Sequence, residues 1–301
     1  MVPLVLLGLY LLCYGRPSAL EGGLLLPYTT HVSGERTVAL TFDDGPDPVY
    51  TPQVLDVLAR YDVQATFFVI GRRVDAHPEL IRRIVAAGHA VGSHGYSHAI
   101  LRGVWPSEIM TELEQSEVAL YRAAGIRTRL FRHPGGMQGA FLPFITKAGG
   151  WQVVVWSLDP RDYTQPGPGE IARRVLEGAH SGAIVLLHDG SPDGNQPRRQ
   201  TVAALPAILE GLRGRGYRFV SVTPSIDPTH PQGSRVGRER VRHLSPPWPM
   251  RKSYYGRRAE GVGEVSRGSW AVRRRLIAPT MVSRVMRMAE ITHHMQIASM
   301  T

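Results

Sequence analysis

From Thr37 to Val222 the chain repeats one alternation. Short apolar runs rich in β-branched residues are followed by longer stretches in which apolar positions recur three or four apart. The first pattern is that of a buried strand, the second that of a helix with one apolar face. Strands are predicted over 37–42, 65–70, 89–92, 129–131, 152–156, 183–188 and 218–222, and helices over 52–61, 78–87, 106–124, 141–148, 168–178 and 198–215. Several helices begin on Pro or carry an acidic residue in the first turn, as helix N-termini prefer. Ile81, Ile84 and Val85 show the one-sided stripe within 78–87. Strands alternating with helices form parallel sheets, because each crossover is itself a helix. The fold class is therefore α/β, with the sheet open or closed into a barrel. Seven strands in this length suit a (β/α) barrel with fewer than eight regular units.

Both ends break the pattern. Residues 2–14 are almost wholly apolar and lead into Gly15, Arg16, Pro17, Ser18 and Ala19. That stretch is short for a membrane span and suits the apolar core of a signal peptide, with Ser18 and Ala19 as small residues for cleavage. No basic residue precedes it, so 1–20 reads as a signal peptide or a weak membrane anchor. After Pro224 the periodicity stops, and 225–250 is rich in Pro, Arg and Ser. Some helical spacing returns around 272–298, in Leu276, Ile277, Met281, Val285, Met288 and Ile291, with Arg273, Arg274, Arg275, Arg284 and Arg287 on other faces. Such a basic helix suits contact with an anionic membrane or cell-wall polymer. The expectation for 224–301 is a largely disordered basic tail.

Charge follows the same division. The net charge is +10, yet 224–301 alone holds 14 Lys and Arg against 5 Asp and Glu. What precedes it is nearly neutral, which removes the ground for a nucleic-acid reading. The one cysteine, Cys13, lies in the leader, and Leu12 before it is not the small residue a lipid-attachment site requires. A processed chain therefore has no thiol for a disulfide, a metal site or a nucleophile.

The polar residues that interrupt the pattern fall at predicted strand ends. Asp43 and Asp44 close the first strand ahead of Gly45 and Pro46, His94 and His98 follow the third, and Arg132 follows the fourth. Asp159 and Asp162 follow the fifth, and His188 closes the sixth. In a β/α barrel the C-terminal rim of the strands carries the chemistry, since the loops there converge on one mouth. Two histidines four apart reach one ion from a helical face or from a short loop, and one carboxylate completes a two-histidine, one-carboxylate set. That set also serves iron oxygenases, but a second carboxylate beside it favours hydrolysis, which needs a base for water. Asp43 and Asp44 point to opposite faces if the strand runs through them, and converge only if the chain turns; a plain turn is the bland reading of Asp-Asp-Gly-Pro. Arg132 serves either as a surface ion pair or as the group that keeps the base ionised and aimed. His188 is suited to protonate a leaving group, with Asp162 favouring its charged form.

The order Thr41-Phe42-Asp43-Asp44-Gly45, Ser93-His94-Gly95-Tyr96-Ser97-His98, Arg132-His133-Pro134, Asp159-Pro160-Arg161-Asp162-Tyr163 and Leu186-Leu187-His188 resembles the polysaccharide deacetylase family (carbohydrate esterase family four, the NodB-homology domain) over roughly 36–223. The resemblance implies a distorted (β/α)7 barrel and metal-dependent removal of acetyl groups from N-acetylated sugars, or in some members O-acetylated ones. Asp43 then resembles the catalytic base; Asp44, His94 and His98 resemble the metal ligands. Arg132 resembles the arginine that coordinates the base, His188 the general acid, and Asp162 its tuning partner. Leu186 resembles the leucine that lines the acetyl pocket. Three motifs depart from the family pattern: the usual Arg-Pro-Pro-Tyr-Gly reads Arg132-His133-Pro134-Gly135-Gly136, with Gly135 for a tyrosine whose backbone N–H serves the oxyanion, Tyr163 stands for a tryptophan, and Gly95 for a hydroxyl residue. Glycine keeps the N–H, so that role survives.

The expected protein is an extracytoplasmic polysaccharide N-deacetylase, secreted or envelope-attached and monomeric. Its partner is an N-acetylated glycan such as peptidoglycan or a chitin-like polymer, and no nucleic acid. Its cofactor is a divalent metal ion, zinc foremost, with cobalt, manganese or nickel as alternatives. The competing readings are the same site acting on a different bond, as in O-acetyl xylan esterases or small-amide hydrolases of this fold, and a non-catalytic glycan binder or scaffold; intact Asp43 and His188 argue against the second.

Overall fold

The computed structural model describes residues 28–101, 103–136 and 141–223. The expected leader and basic tail lie outside them. Seven strands alternate with helices: β1 Thr37–Gly45, α1 Tyr50–Arg60, β2 Thr66–Val69, α2 Gly71–Ala76, α3 Pro78–Ala86, β3 Ala90–Ser93, α4 Pro106–Ala124, β4 Leu130–Phe131, α5 Leu142–Ala148, β5 Gln152–Val153, α6 Pro168–Gly178, β6 Ala183–His188, α7 Arg199–Gly214 and β7 Arg218–Phe219. The sheet runs β5-β4-β3-β2-β1-β6, with every ladder parallel, and β7 pairs with the start of β1.

Closure is irregular. Beyond β5 no ladder forms: Val154 makes a single bridge to Thr29, and Leu158 bridges Val185 of β6, with Leu186 N–H donating to Leu158 O at 2.9 Å. The sheet therefore curls into the distorted barrel, joined on that side by single bridges. The strands predicted over 152–156 and 218–222 accordingly shrink to the two-residue strands Gln152–Val153 and Arg218–Phe219.

A period of two sorts β1 between two cores. Val38, Leu40 and Phe42 face outward and pack with Leu58 of α1, Ile81 and Ile84 of α3, Val175 of α6 and Leu205 and Leu212 of α7. Ala39 faces inward with Phe68, Leu130, Val154 and Ile184. Each large apolar side chain wholly buried here contributes roughly 1.5–3 kcal/mol. Val85, placed by its spacing on the buried stripe of α3, is 36% exposed and only borders it. The inner row of β1 continues through Thr41 to Asp43, so the alternation that fills the barrel also delivers a carboxylate to its mouth.

One helix was not foreseen. The six residues of α2 bury only Gly71 and Val74, too short a run for a helical period to show. Gly71 lets it dock: a Cβ there would fall 2.6 Å from Tyr96 Cδ2 and 3.0 Å from Ser116 Cα of α4. Among the described residues no helix is long and apolar enough to cross a membrane.

Candidate active site

Asp43 and Asp44 converge by a device the sequence pattern did not show. β1 neither stops nor turns before them; it continues to Gly45 with a bulge. Asp43 pairs with Phe68 and Gly45 with Val69, and Asp44 is skipped with φ at 71°. An extra residue in the left-handed region cancels the alternation of faces. Both carboxylates then reach His94 Nε2, Asp43 Oδ2 at 3.8 Å and Asp44 Oδ1 at 3.5 Å.

His94 and His98 occupy the loop after β3 rather than a helix. Glu112 of α4 shapes that loop, accepting N–H bonds from Tyr96 and Ser97 at 2.8 Å each and the Ser97 hydroxyl at 2.6 Å. His94 Nδ1 lies 2.7 Å from Arg132 O, so as a donor there it leaves its Nε2 lone pair free for the cluster. Burial pushes the His94 pKa down, with Asp43 and Asp44 opposing. Asp44 Oδ1 lies 3.2 Å from His98 Nε2 and, among the described residues, has no aligned hydrogen bond although it is buried. Burial disfavours its charge, but His98, His94 and His188 outweigh this and hold its pKa at about 2. One donor atom each from Asp44, His94 and His98 lies within 4.8 Å of the others. Two imidazoles and an ionised carboxylate whose buried Oδ1 has no aligned hydrogen bond fit a divalent cation.

Arg132 is wholly buried, which excludes the surface ion pair. Its Nη1 donates to Asp43 Oδ1 at 2.8 Å and Thr41 Oγ1 at 2.7 Å, its Nε donates to Val154 O at 3.2 Å, and its guanidinium carbon lies 4.1 Å from the Phe68 ring centroid. Asp43 is therefore clamped from inside the barrel. Removing either partner of such a buried pair typically costs about 3–5 kcal/mol.

His188 stands beside Asp43 in register, as Leu186 does beside Thr41. Leu186, two residues earlier, shares the inward face and is 4% exposed. Asp162 lies in a 3-10 turn after β5 and grips His188 twice, accepting from its backbone N–H at 2.9 Å and pairing with Nδ1 at 2.7 Å. Thr201 of α7 donates to the same carboxylate at 2.7 Å. Burial opposes protonation of His188, yet Asp162 first, then Asp44 and Asp43, raise its pKa to about 9. Tyr163 meets the His188 ring edge-on at 5.6 Å and is 42% exposed. Asp159 is exposed and accepts Arg161 N–H at 2.7 Å.

Gly135 lies in a 3-10 turn with φ at 66°, followed by Gly136 at 65°. A Cβ on Gly136 would fall 2.7 Å from Trp156 Cη2, so the glycines here are a requirement of the turn. His133, given no role by the motif it stands in, is buried beside Arg132; burial, with His94 and Arg132 nearby, takes its pKa down to about 3. Thr41, Thr201 and Glu112 were likewise missed. Each reaches its partner across a sequence gap that no local pattern reports.

The fold and site define a β/α-barrel hydrolase with a place for a divalent cation. Its relatives narrow this. The polysaccharide deacetylase family model matches residues 31–154. The peptidoglycan-N-acetylglucosamine deacetylase of Bacillus cereus is 41% identical over 200 residues, 66% of this chain and 92% of that protein. The chitooligosaccharide deacetylase of a Bradyrhizobium species is 44% identical over 196 residues, 62% of this chain and 90% of that one. The solved Bc1960 peptidoglycan N-acetylglucosamine deacetylase, in complex with a naphthalenyl-N-oxidanyl-benzamide, has a TM-score of 0.63 at 32% identity over 68% of this chain and 94% of that one. This chain belongs to the polysaccharide deacetylase family, and with it to the hydrolases of carbon–nitrogen amide bonds.

Proposed function

We propose that the 36–223 domain removes acetyl groups from an N-acetylglucosamine polymer, peptidoglycan or a chitin-like chain, outside the cytoplasm. The observation that carries this is the register pair Asp43–His188 at one barrel mouth, the first ion-paired to Arg132 and the second held protonated by Asp162. A base and an acid side by side are what amide hydrolysis requires. The relatives named for peptidoglycan and chitooligosaccharide deacetylation support the substrate class and the extracytoplasmic setting.

In this reading Asp44, His94 and His98 hold a divalent cation, zinc foremost. Such an ion supplies Lewis acidity and lowers the pKa of water. Asp43 takes the proton of the attacking water, aimed by Arg132. Gly135 N–H donates to the carbonyl oxygen as charge gathers there. Leu186 receives the acetyl methyl, and Tyr163 borders the sugar. His188 gives its proton to the departing nitrogen. The carbon–nitrogen bond breaks, the new carbon–oxygen bond comes from water, and acetate and a free amine leave.

The test is incubation of the purified chain with N-acetylglucosamine oligomers and with peptidoglycan, counting acetate and amine, with and without chelator. Equal amounts of both, lost on chelation, are expected. Acetate without amine would assign an O-acetyl esterase instead, and activity indifferent to chelator would overturn the metal reading.

Asp162→Asn checks the acid. His188 must be protonated to act, so activity should fall as pH rises through its pKa. Removing the Asp162 charge leaves only Asp44 and Asp43 against burial, so the pKa drops from about 9. The alkaline limb of the kcat profile is then expected to move to lower pH. An unmoved limb would remove His188 from the role.

A further inference from the structure

The bulge that brings Asp43 and Asp44 together rests on a buried group that the chemistry above leaves unused. Asp189 follows β6, is wholly buried, and donates its backbone N–H to Asp43 O at 3.2 Å. Its carboxylate lies against Gly45, where a Cβ would fall 2.5 Å from both of its oxygens. Thr51, in the first turn of α1, donates its hydroxyl to Asp189 Oδ2 at 2.5 Å and accepts Asp47 N–H at 2.7 Å. Asp47 pairs with Arg73 of α2 at 2.9 Å, and Arg73 also holds Pro46 O and Ser191 O, each at 3.0 Å. Arg198 Nε fixes Gly190 O at 2.6 Å, and Gly190 is packed so closely on Asp44 O that a side chain there has no room. From Asp43 to Asp47 the backbone is thus held from behind by three elements.

That matters because Asp44 is a non-glycine residue at φ 71°. Such a conformation persists only where the surroundings over-determine it. Asp189 is also an unusual choice for a merely structural floor. Its Oδ1 has no hydrogen-bond partner among the described residues, and Arg73 pairs with Asp47 rather than with it. A buried carboxylate so poorly matched is costly, and an apolar residue would fill the space with less penalty.

We propose that Asp189 is a positioning residue: wedged beneath Gly45 and tied to Thr51, it holds the bulge that turns Asp44 toward His94 and His98. The inference rests on the reading that those three residues bind a divalent cation. It acts through shape and one hydrogen bond, so its signature is metal affinity rather than turnover alone.

The experiment titrates the purified full-length chain with cobalt, followed by calorimetry and visible absorption, beside thermal melting. Asp189→Ala is expected to weaken cobalt binding by about 10–100-fold, the range for groups that orient metal ligands. Thr51→Val should weaken it in the same direction and carries the test if Asp189→Ala fails to fold. Asp189→Asn keeps the shape and an acceptor for Thr51, and should bind nearly as wild type does. Leu209→Ala, a core change in α7 remote from the bulge, should melt earlier yet bind cobalt normally below its Tm. Wild-type affinity in Asp189→Ala or Thr51→Val overturns the proposal. So does a loss in Asp189→Asn equal to that in Asp189→Ala, or an equal loss in Leu209→Ala. Absence of cobalt binding by the wild-type chain would instead sink the metal reading itself, and the proposal with it.

Discussion

Asn in place of Asp43 is expected to leave a divalent ion bound while turnover falls by about 10²–10⁴-fold, the range for loss of a general base. The amide keeps the shape and an acceptor for Arg132 Nη1, now 2.8 Å from Asp43 Oδ1, but it has no lone pair basic enough to take a proton from water. The metal site should survive because its three donors come from Asp44, His94 and His98. The fold should be strained, since Arg132 is wholly buried and Asp43 is its ion-pair partner. A loss of up to about 3–5 kcal/mol is the scale for orphaning a buried charge. Bonds from Arg132 to Thr41 and Val154 and its place over Phe68 hold the guanidinium in position. The measurement is kcat on an N-acetylglucosamine oligomer beside metal stoichiometry and Tm. Turnover near wild type with metal bound would take the base role from Asp43.

Its neighbour should fail the other way. Asp44→Ala is expected to lose the ion and, with it, essentially all activity. Loss of a group that merely orients a ligand costs metal sites about 10–100-fold in affinity, and loss of a ligand itself costs more. Alanine also resists the left-handed backbone at φ 71°, a burden of about 1–2 kcal/mol. Asp44→Asn separates the two effects, because Asn tolerates that region while removing the charge. A ligand bound at 100 times its Kd stabilises a fold by about 2.7 kcal/mol. Added zinc or cobalt should therefore raise the wild-type Tm and leave both variants unmoved. A metal-dependent rise in Asp44→Asn equal to that of wild type would show that the carboxylate is not a ligand.

The contrast between these two adjacent residues marks how far the sequence could be read. Inward and outward rows of β1 follow from a period of two, and the alternation of strands and helices requires a parallel β/α sheet. The helix over Pro106–Ala124 matches its expectation to the residue, because Pro starts it and Gly125 at φ 67° ends it. These are local signals, carried by neighbours in the chain. The five motifs likewise lie at strand ends in sequence, which is why their rim location was legible.

Other features depend on residues that meet only after folding. Whether Asp43 and Asp44 converge is decided by the bulge, and Asp189 and Gly190 pack against it from a segment far along the chain. Arg132 is a buried clamp rather than a surface ion pair because Phe68 and Val154 close over it. The charge of His188 depends on Asp162, 26 residues earlier in the chain, and Asp162 is in turn held by Thr201, 39 residues beyond it. By itself the sequence determined the α/β architecture, the rim and the residue types available there, since propensity and periodicity act between near neighbours. Only the tertiary structure decided how two adjacent carboxylates share one side of a strand and which side chains each of them meets. Those outcomes depend on burial and on contacts a few ångströms long between residues that the chain itself holds far apart.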